Sequence, residues 1–133
     1  MKKAVEFLKR NENYFYLAFR ILVGLLFVQH GAQKLFGAFG GTPVVSYFSL
    51  FGLAGFIEFF GGLLIILGLF TRVAALFGIF DMAGAMIIAH FPKGYIPILN
   101  GGELASLYFA AFLVLLVGGT KIFGLDNLVF KKK

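Results

Sequence analysis

The sequence has no cysteine. Disulfides, iron–sulfur clusters, thiolate metal sites and a CxxC relay are therefore impossible within this chain, and any redox role must use another group or a partner. Charge is scarce as well: Asp, Glu, Lys and Arg supply 14% of the 133 residues, against roughly 25% in a water-soluble domain. A chain so short of polar groups cannot cover its own surface with them. What is abundant is apolar: 60% hydrophobic side chains and 19 Phe, with a mean hydropathy of +0.94. This composition excludes a soluble enzyme, a disordered tail and a collagen-like fibre, and points to an integral membrane protein of one small domain, residues 1–133. The net charge of +6 does not indicate nucleic acid. A nucleic-acid binder gathers basic groups on a water-exposed patch, whereas here they sit in tails and short connections, as topology-setting charge beside anionic lipid does.

A helix crossing the bilayer core needs about 20 apolar residues. Four such runs are present, at residues 14–34, 53–70, 73–90 and 103–119, separated by polar punctuation, and none has a strand pattern. Lys2 and Lys3 imitate the start of a signal peptide, but the first run begins only after Glu6, Lys9, Arg10, Asn11, Glu12 and Asn13. It is longer than a signal core and no small-x-small site follows, so it is read as an uncleaved span. Asn13 is its expected N-cap, and Ala4 to Lys9 a short interfacial helix.

Lys2, Lys3, Lys9, Arg10, Arg72, Lys121, Lys131, Lys132 and Lys133 fall on one side of this arrangement, with only Lys34 and Lys93 on the other. The asymmetry predicts a multi-pass cell-membrane protein with both termini cytoplasmic. In the first outer connection, Thr42 followed by Pro43 reads as a helix start. Val44 to Phe51 is then expected to form a short half-helix over the outer end of the bundle, beside the connection containing Pro92, Lys93, Gly94, Tyr95 and Pro97. Small residues at four- and seven-residue spacing (Gly55 and Gly62, Gly61 and Gly68, Ala74 and Gly78, Ala85 and Ala89) suit an all-α antiparallel four-transmembrane-helix bundle. Small size and Gly-rich faces are also compatible with a homo-oligomer.

Ionisable residues within spans cost about 2.5–3.5 kcal/mol at mid-depth on insertion scales, so each needs a partner, a wet cavity or a role. At about 1.5 Å per residue, Arg20 lies roughly 9 Å and Asp81 roughly 12 Å above the inner end. This predicts a structural ion pair between the first and third spans. His30 and His90 lie roughly 24–25 Å up, Glu103 at roughly 24 Å and Glu58 about a turn deeper. These four make an outer cluster rimmed by Lys34 and Asn100. Glu58 shares its face with Ala54, Gly55, Gly61, Gly62 and Ile65 and so points into the bundle. A buried carboxylate near two imidazoles should have perturbed proton affinity, a physical mark of functional sites. The nine-residue spacing of Asp81 and His90 places them on opposite faces of an ideal helix. Either the third helix breaks before Pro92 or only one of the two faces inward. The Glu-x-x-His pairing of di-iron bundles is absent, and no metal centre is expected. A bis-His haem on His30 and His90 is the cofactor alternative to a quinone.

At these residues the sequence resembles the DoxX family of small four-span membrane proteins. The resemblance rests on Arg20; on His30, Gly31, Lys34 and Leu35; on Glu58, Gly61, Gly62, Leu67, Gly68, Leu69, Thr71 and Arg72; and above all on Asn100, Gly101, Gly102 and Glu103 opening the fourth span. It covers about residues 17–126. It implies membrane redox chemistry, as a subunit of quinol-oxidising or thiosulfate:quinone oxidoreductase systems or as an oxidoreductase met in quinone or catechol stress. Because the chain carries no flavin or nicotinamide fingerprint, electron transfer would need a bound quinone, a haem or a partner subunit.

A quinone needs an apolar slot with hydrogen-bonding and proton-exchanging groups at its carbonyls. The outer cluster supplies that pattern: His30, Glu58, His90 and Glu103 as catalytic proton carriers, Lys34 and Asn100 as binding contacts. The competing expectation is a non-enzymatic membrane scaffold or small-solute transporter, although no repeat relates residues 14–70 to 73–119.

Overall fold

The sequence folds, in a computed structural model describing residues 1–130, into helices joined by short connections, with no strand among the described residues. Lys131, Lys132 and Lys133, counted above in the charge asymmetry, lie outside the described residues. The elements are α1 (Lys2–Arg10), α2 (Glu12–Phe36), α3 (Leu50–Leu67), α4 (Thr71–Ala85), α5 (Pro97–Asn100), α6 (Glu103–Gly118) and α7 (Asp126–Val129). A π-helical turn over Met86–His90 and a 3-10 turn over Phe91–Lys93 prolong α4. Glu12–Phe36, Leu50–Leu67 and Thr71–Lys93 are long and apolar enough to cross a membrane; Glu103–Gly118 is apolar but shorter.

The four expected runs are all helical, and their ends move for identifiable reasons. Ser49 begins α3 earlier than expected because its Oγ accepts the Gly52 N–H at 3.0 Å, satisfying a donor the helix start leaves free. Gly68, at φ +65°, ends the same helix, and Leu69 N–H returns to the Leu64 carbonyl at 2.9 Å. Asn13 is not the N-cap: it lies inside α2, and Asn11 at the α1–α2 junction donates its side chain to the Phe7 carbonyl at 2.8 Å. The half-helix over 44–51 does not form. Val44 N–H donates to the Lys34 carbonyl at 2.8 Å, closing the end of α2. The chain then runs irregularly to the Ser49 cap, so only Leu50 and Phe51 of that stretch are helical. The first connection carries a single 3-10 turn at Ala38–Gly40 instead.

α2, α3, α4 and α6 pack antiparallel, each against the next. Along α2 and α3 the facing positions run Lys34 to Glu58, Val28 to Gly62, Gly24 to Ile66 and Arg20 to Gly68. Here the backbones nearly touch. A Cβ on Gly24 would fall 2.9 Å from the Gly62 carbonyl oxygen, one on Gly62 2.8 Å from that of Gly24, and one on Gly31 2.6 Å from Phe59 Cα. Such approach is what small residues allow where lipid offers no hydrophobic drive between helices. The seam therefore depends on Gly24 and Gly31 of α2, which sequence spacing did not single out, as much as on Gly62. Gly61 has only the Phe27 ring, at 3.8 Å, near its Cβ direction. Gly78 receives the Phe112 ring, and Phe27, Ile65, Ala75, Phe112 and Leu115 form the fully buried centre.

Arg20 and Asp81 do not pair. The Arg20 guanidinium donates to the Thr120 carbonyl at 2.6 Å and to Thr120 Oγ1 at 2.8 Å, so it clamps the segment after α6. Helix rise alone sets it level with Asp81, but Asp81 faces the hollow between α3 and α4 that Lys34 and Glu58 also line. Asp126 completes this end by accepting the Phe70 N–H at 2.6 Å and the Thr71 N–H at 3.3 Å, which caps α4.

The seam yields a matched pair of expectations. Gly31→Leu must push α2 off α3 and destabilise the protein by about 1–3 kcal/mol or more, as overpacking does. Gly61→Ala, with ordinary van der Waals room, leaves stability near the parent value. Thermal unfolding in detergent, followed by circular dichroism, checks both.

Candidate functional site

Four residues of the expected outer cluster meet. His30 and Lys34 from α2, Glu58 from α3 and His90 from the π-helical turn line one interior chamber of about 250 Å³, together with Met82, Ala85, Leu104, Ala105 and Tyr108. Each reaches it for a local reason. The glycine seam brings α2 close enough for Lys34 to donate to Glu58 Oε1 in an ion pair whose carboxylate is 3% exposed. Tyr108 is aligned with Ala105 and Phe112 on the inner face of α6. Its ring stacks on Phe112 at 5.8 Å and takes His30 edge-on at 5.8 Å.

His90 depends on the change of helix type. From Ala85 it is five residues on, which in an α-helix turns it about 140° away. An i→i+5 turn instead stacks it nearly over Ala85. Both then line the chamber. Its Nδ1 lies 3.2 Å from the Asn100 carbonyl oxygen. A carbonyl can only accept, so Nδ1 is the donor in this bond and Nε2 is the ring nitrogen left for another partner.

Two expected members are not in the chamber in the expected way. Glu103 is exposed in the first turn of α6 and does not line it. Asn100 is buried but occupied: Nδ2 donates to the Gly94 carbonyl at 2.7 Å and Oδ1 accepts the Gly102 N–H at 2.7 Å. The Asn-Gly-Gly-Glu stretch thus folds the connection that supports His90, with Gly101 at φ +75°. Both residues fail as contacts because the turn directs one outward and consumes the other.

Two further polar groups belong to the site. Asp81 shares a second hollow, of about 300 Å³, with Lys34 and Glu58 between α3 and α4. Tyr108 carries no charge near neutral pH and so does not stand out as costly in a span; its phenol on the inner face of α6 is the signal in the sequence. Asp81 Oδ2, Glu58 Oε2 and Tyr108 OH are buried without a hydrogen-bond partner. Buried polar atoms are ordinarily satisfied, so three in one neighbourhood are a standing demand for polar contact. Among the described residues no group of three or more His, Asp and Glu is placed to hold a metal ion. The chamber is slightly smaller than the about 300–1,000 Å³ of most small-molecule pockets.

The DoxX family model matches residues 15–91. The chain belongs to the DoxX family. The matched stretch holds Arg20, His30, Lys34, Glu58, Asp81 and His90, whereas Asn100 and Tyr108 lie beyond it. An uncharacterized protein of Haemophilus influenzae is 41% identical, the match covering 94% of this chain and 98% of that one. A Bacillus subtilis protein named "Putative oxidoreductase CatD" is 30% identical over 88% of each chain. The inner membrane protein YqjF of Escherichia coli is 31% identical over 94% of this chain and 99% of its own. No solved structure matches. With its apolar helices, this DoxX chain is a membrane protein.

The Lys34–Glu58 pair generates a stability test. Removing one partner of a buried pair strands the other charge, at about 3–5 kcal/mol when burial is complete. Lys34 is 20% exposed, so Lys34→Met falls toward the lower bound. The double variant Lys34→Met, Glu58→Gln recovers much of that loss. A double-mutant cycle from denaturant unfolding in detergent measures the coupling.

Proposed function

We propose that this DoxX protein binds a quinone at the polar cluster around Lys34 and Glu58 and exchanges protons with it, in a redox system whose electrons come from a partner protein. The observation that carries this reading is the coincidence of Glu58 Oε2, Asp81 Oδ2 and Tyr108 OH, all unpartnered, with a hollow on each side of the Lys34–Glu58 pair. A purely structural cap would leave those atoms unsatisfied at a cost of about 1–3 kcal/mol each. A flat apolar ring bearing oxygens satisfies them while filling the space. The relative named as an oxidoreductase adds weight in the same direction.

The residues divide the work by their chemistry. Lys34 Nζ donates to a ring oxygen and holds the headgroup in register. Glu58, with Oε1 engaged by Lys34, keeps Oε2 free to take or give a proton. Tyr108 OH and His90 Nε2 relay protons toward the loop-bearing end of the bundle, His90 being held by the Asn100 carbonyl. His30, edge-on to Tyr108, stands beside that relay. A quinone supplies the electron chemistry: two electrons from the partner and two protons through the cluster give the quinol, and the reverse gives them back.

In this reading α2, α3, α4 and α6 all span the bilayer. α6 is about 24 Å long at about 1.5 Å per residue, short for a hydrocarbon core of about 30 Å, a mismatch local thinning accommodates. Excess Lys and Arg at the Arg72 end places both termini in the cytoplasm and the His90 end outside.

Titrating the purified protein in nanodiscs with a soluble benzoquinone, followed by quenching of tyrosine fluorescence, tests the proposal. The parent binds saturably, and Glu58→Gln weakens binding by about tenfold or more, as expected for a lost charge-assisted contact. Absence of saturable binding by the parent refutes it.

A further inference from the structure

The Lys34–Glu58 pair separates two hollows of different character. The chamber on one side lies among α2, α4 and α6 and ends at His90 and Gly101. The hollow on the other side is walled by α3 and α4, and its lining is apolar except for Lys34, Glu58 and Asp81 at its floor. Leu50, Leu53, Phe80 and Ile88 around its mouth are all more than half exposed. They sit on the faces of two long apolar helices, the faces a bilayer would cover, so the opening is lateral. Lys34 Nζ also lies 4.9 Å from the centroid of the Phe51 ring, which lines the same hollow. An ammonium at the foot of an apolar slot is thus held by a carboxylate on one side and an aromatic face on the other.

We infer that the quinone ring enters from the lipid between α3 and α4 and seats in this slot, with its oxygens at Lys34 and Asp81, while the chamber beyond Glu58 serves protons alone. This rests on the quinone reading and deepens it by assigning ring and protons to separate doors. A lipid acyl chain would fill the apolar walls but leave Asp81 Oδ2 and Glu58 Oε2 unpartnered. A wholly polar solute would satisfy the floor but waste the walls and could not arrive through hydrocarbon. An amphipathic ring with an apolar tail meets both halves of the slot, and its tail leaves along the path of entry. Glu58, in the wall of both hollows, is the group through which protons pass from ring to chamber: as the quinol gives two electrons to an oxidised partner, Glu58 takes the first hydroxyl proton, hands it to the chamber and takes the second, and both return by the same path when the partner is reduced and the flow reverses.

Gly84 provides the test. It lines the slot, and a Cβ added there meets nothing within 4 Å, so a large side chain plugs the hollow without displacing a helix. The probe is an azido-benzoquinone with a short alkyl tail, photolysed on the full-length protein in nanodiscs, with adducts mapped by mass spectrometry. Expected are adducts on Leu53, Phe80 or Ile88 in the parent and in Gly84→Ala, and labelling lower by about tenfold or more in Gly84→Phe at unchanged thermal stability. Undiminished labelling of a folded Gly84→Phe, with adducts on Leu104 or Ala105, overturns the lateral seat while leaving quinone binding standing. No specific labelling of the parent overturns both.

Discussion

Backbone contact between α2 and α3 is the constraint on which the rest of this molecule depends. Two helices in lipid gain little from burying apolar surface against each other, so they associate closely only where side chains are absent. Gly24, Gly31 and Gly62 remove those side chains along one antiparallel register. That register sets Lys34 against Glu58 and Arg20 beside Gly68 in the same stroke. The ion pair follows from the approach, and the two hollows follow from the ion pair, because Lys34 and Glu58 are the only residues besides Ala85 that both hollows share.

The two ends of the bundle solve different problems. At the Arg72 end, polar groups are consumed by structure: Arg20 on Thr120, Tyr16 OH on the Gly119 carbonyl at 2.7 Å, and Asp126 on the start of α4. Each stitches the segment after α6 onto the rest, although Arg20 Nε and Thr71 Oγ1 stay buried without a partner. Toward the other end the count does not close either. Asn100 is fully engaged, yet Glu58, Asp81 and Tyr108 each keep an idle atom. What distinguishes this level is that its three idle atoms border hollows with room for a polar partner.

Sequence reasoning reached the helices because hydropathy is a local property: twenty apolar residues cannot hide their pattern. It reached His30, Lys34, Glu58 and His90 because ionisable groups in spans are rare enough to stand out. It failed where position depended on a neighbour. Helix rise set Arg20 level with Asp81, but depth carries no information about azimuth, and Arg20 faces Thr120 instead. Glu103 has the right depth and the wrong direction, since α6 has only begun to turn there. Thr42 and Pro43 carry a genuine helix-start signal for 44–51, which the Val44 bond to the end of α2 overrides. Gly24 and Gly31 escaped notice because seven-residue spacing in one helix says nothing of which partner it meets.

The π-helical turn at Met86–His90 has a meaning for how this rod is read along its length. Met82 and Ala85 before it and His90 at its end line the chamber, while Asp81 and Gly84 before it and Ile88 and Ala89 within it line the slot, so both faces persist through one wide loop of backbone. The turn works as a phase corrector: its extra residue brings His90 back to the bearing that Ala85 already holds. Shortening it by a single residue would leave every atom of His90 chemically intact and aim its imidazole somewhere else.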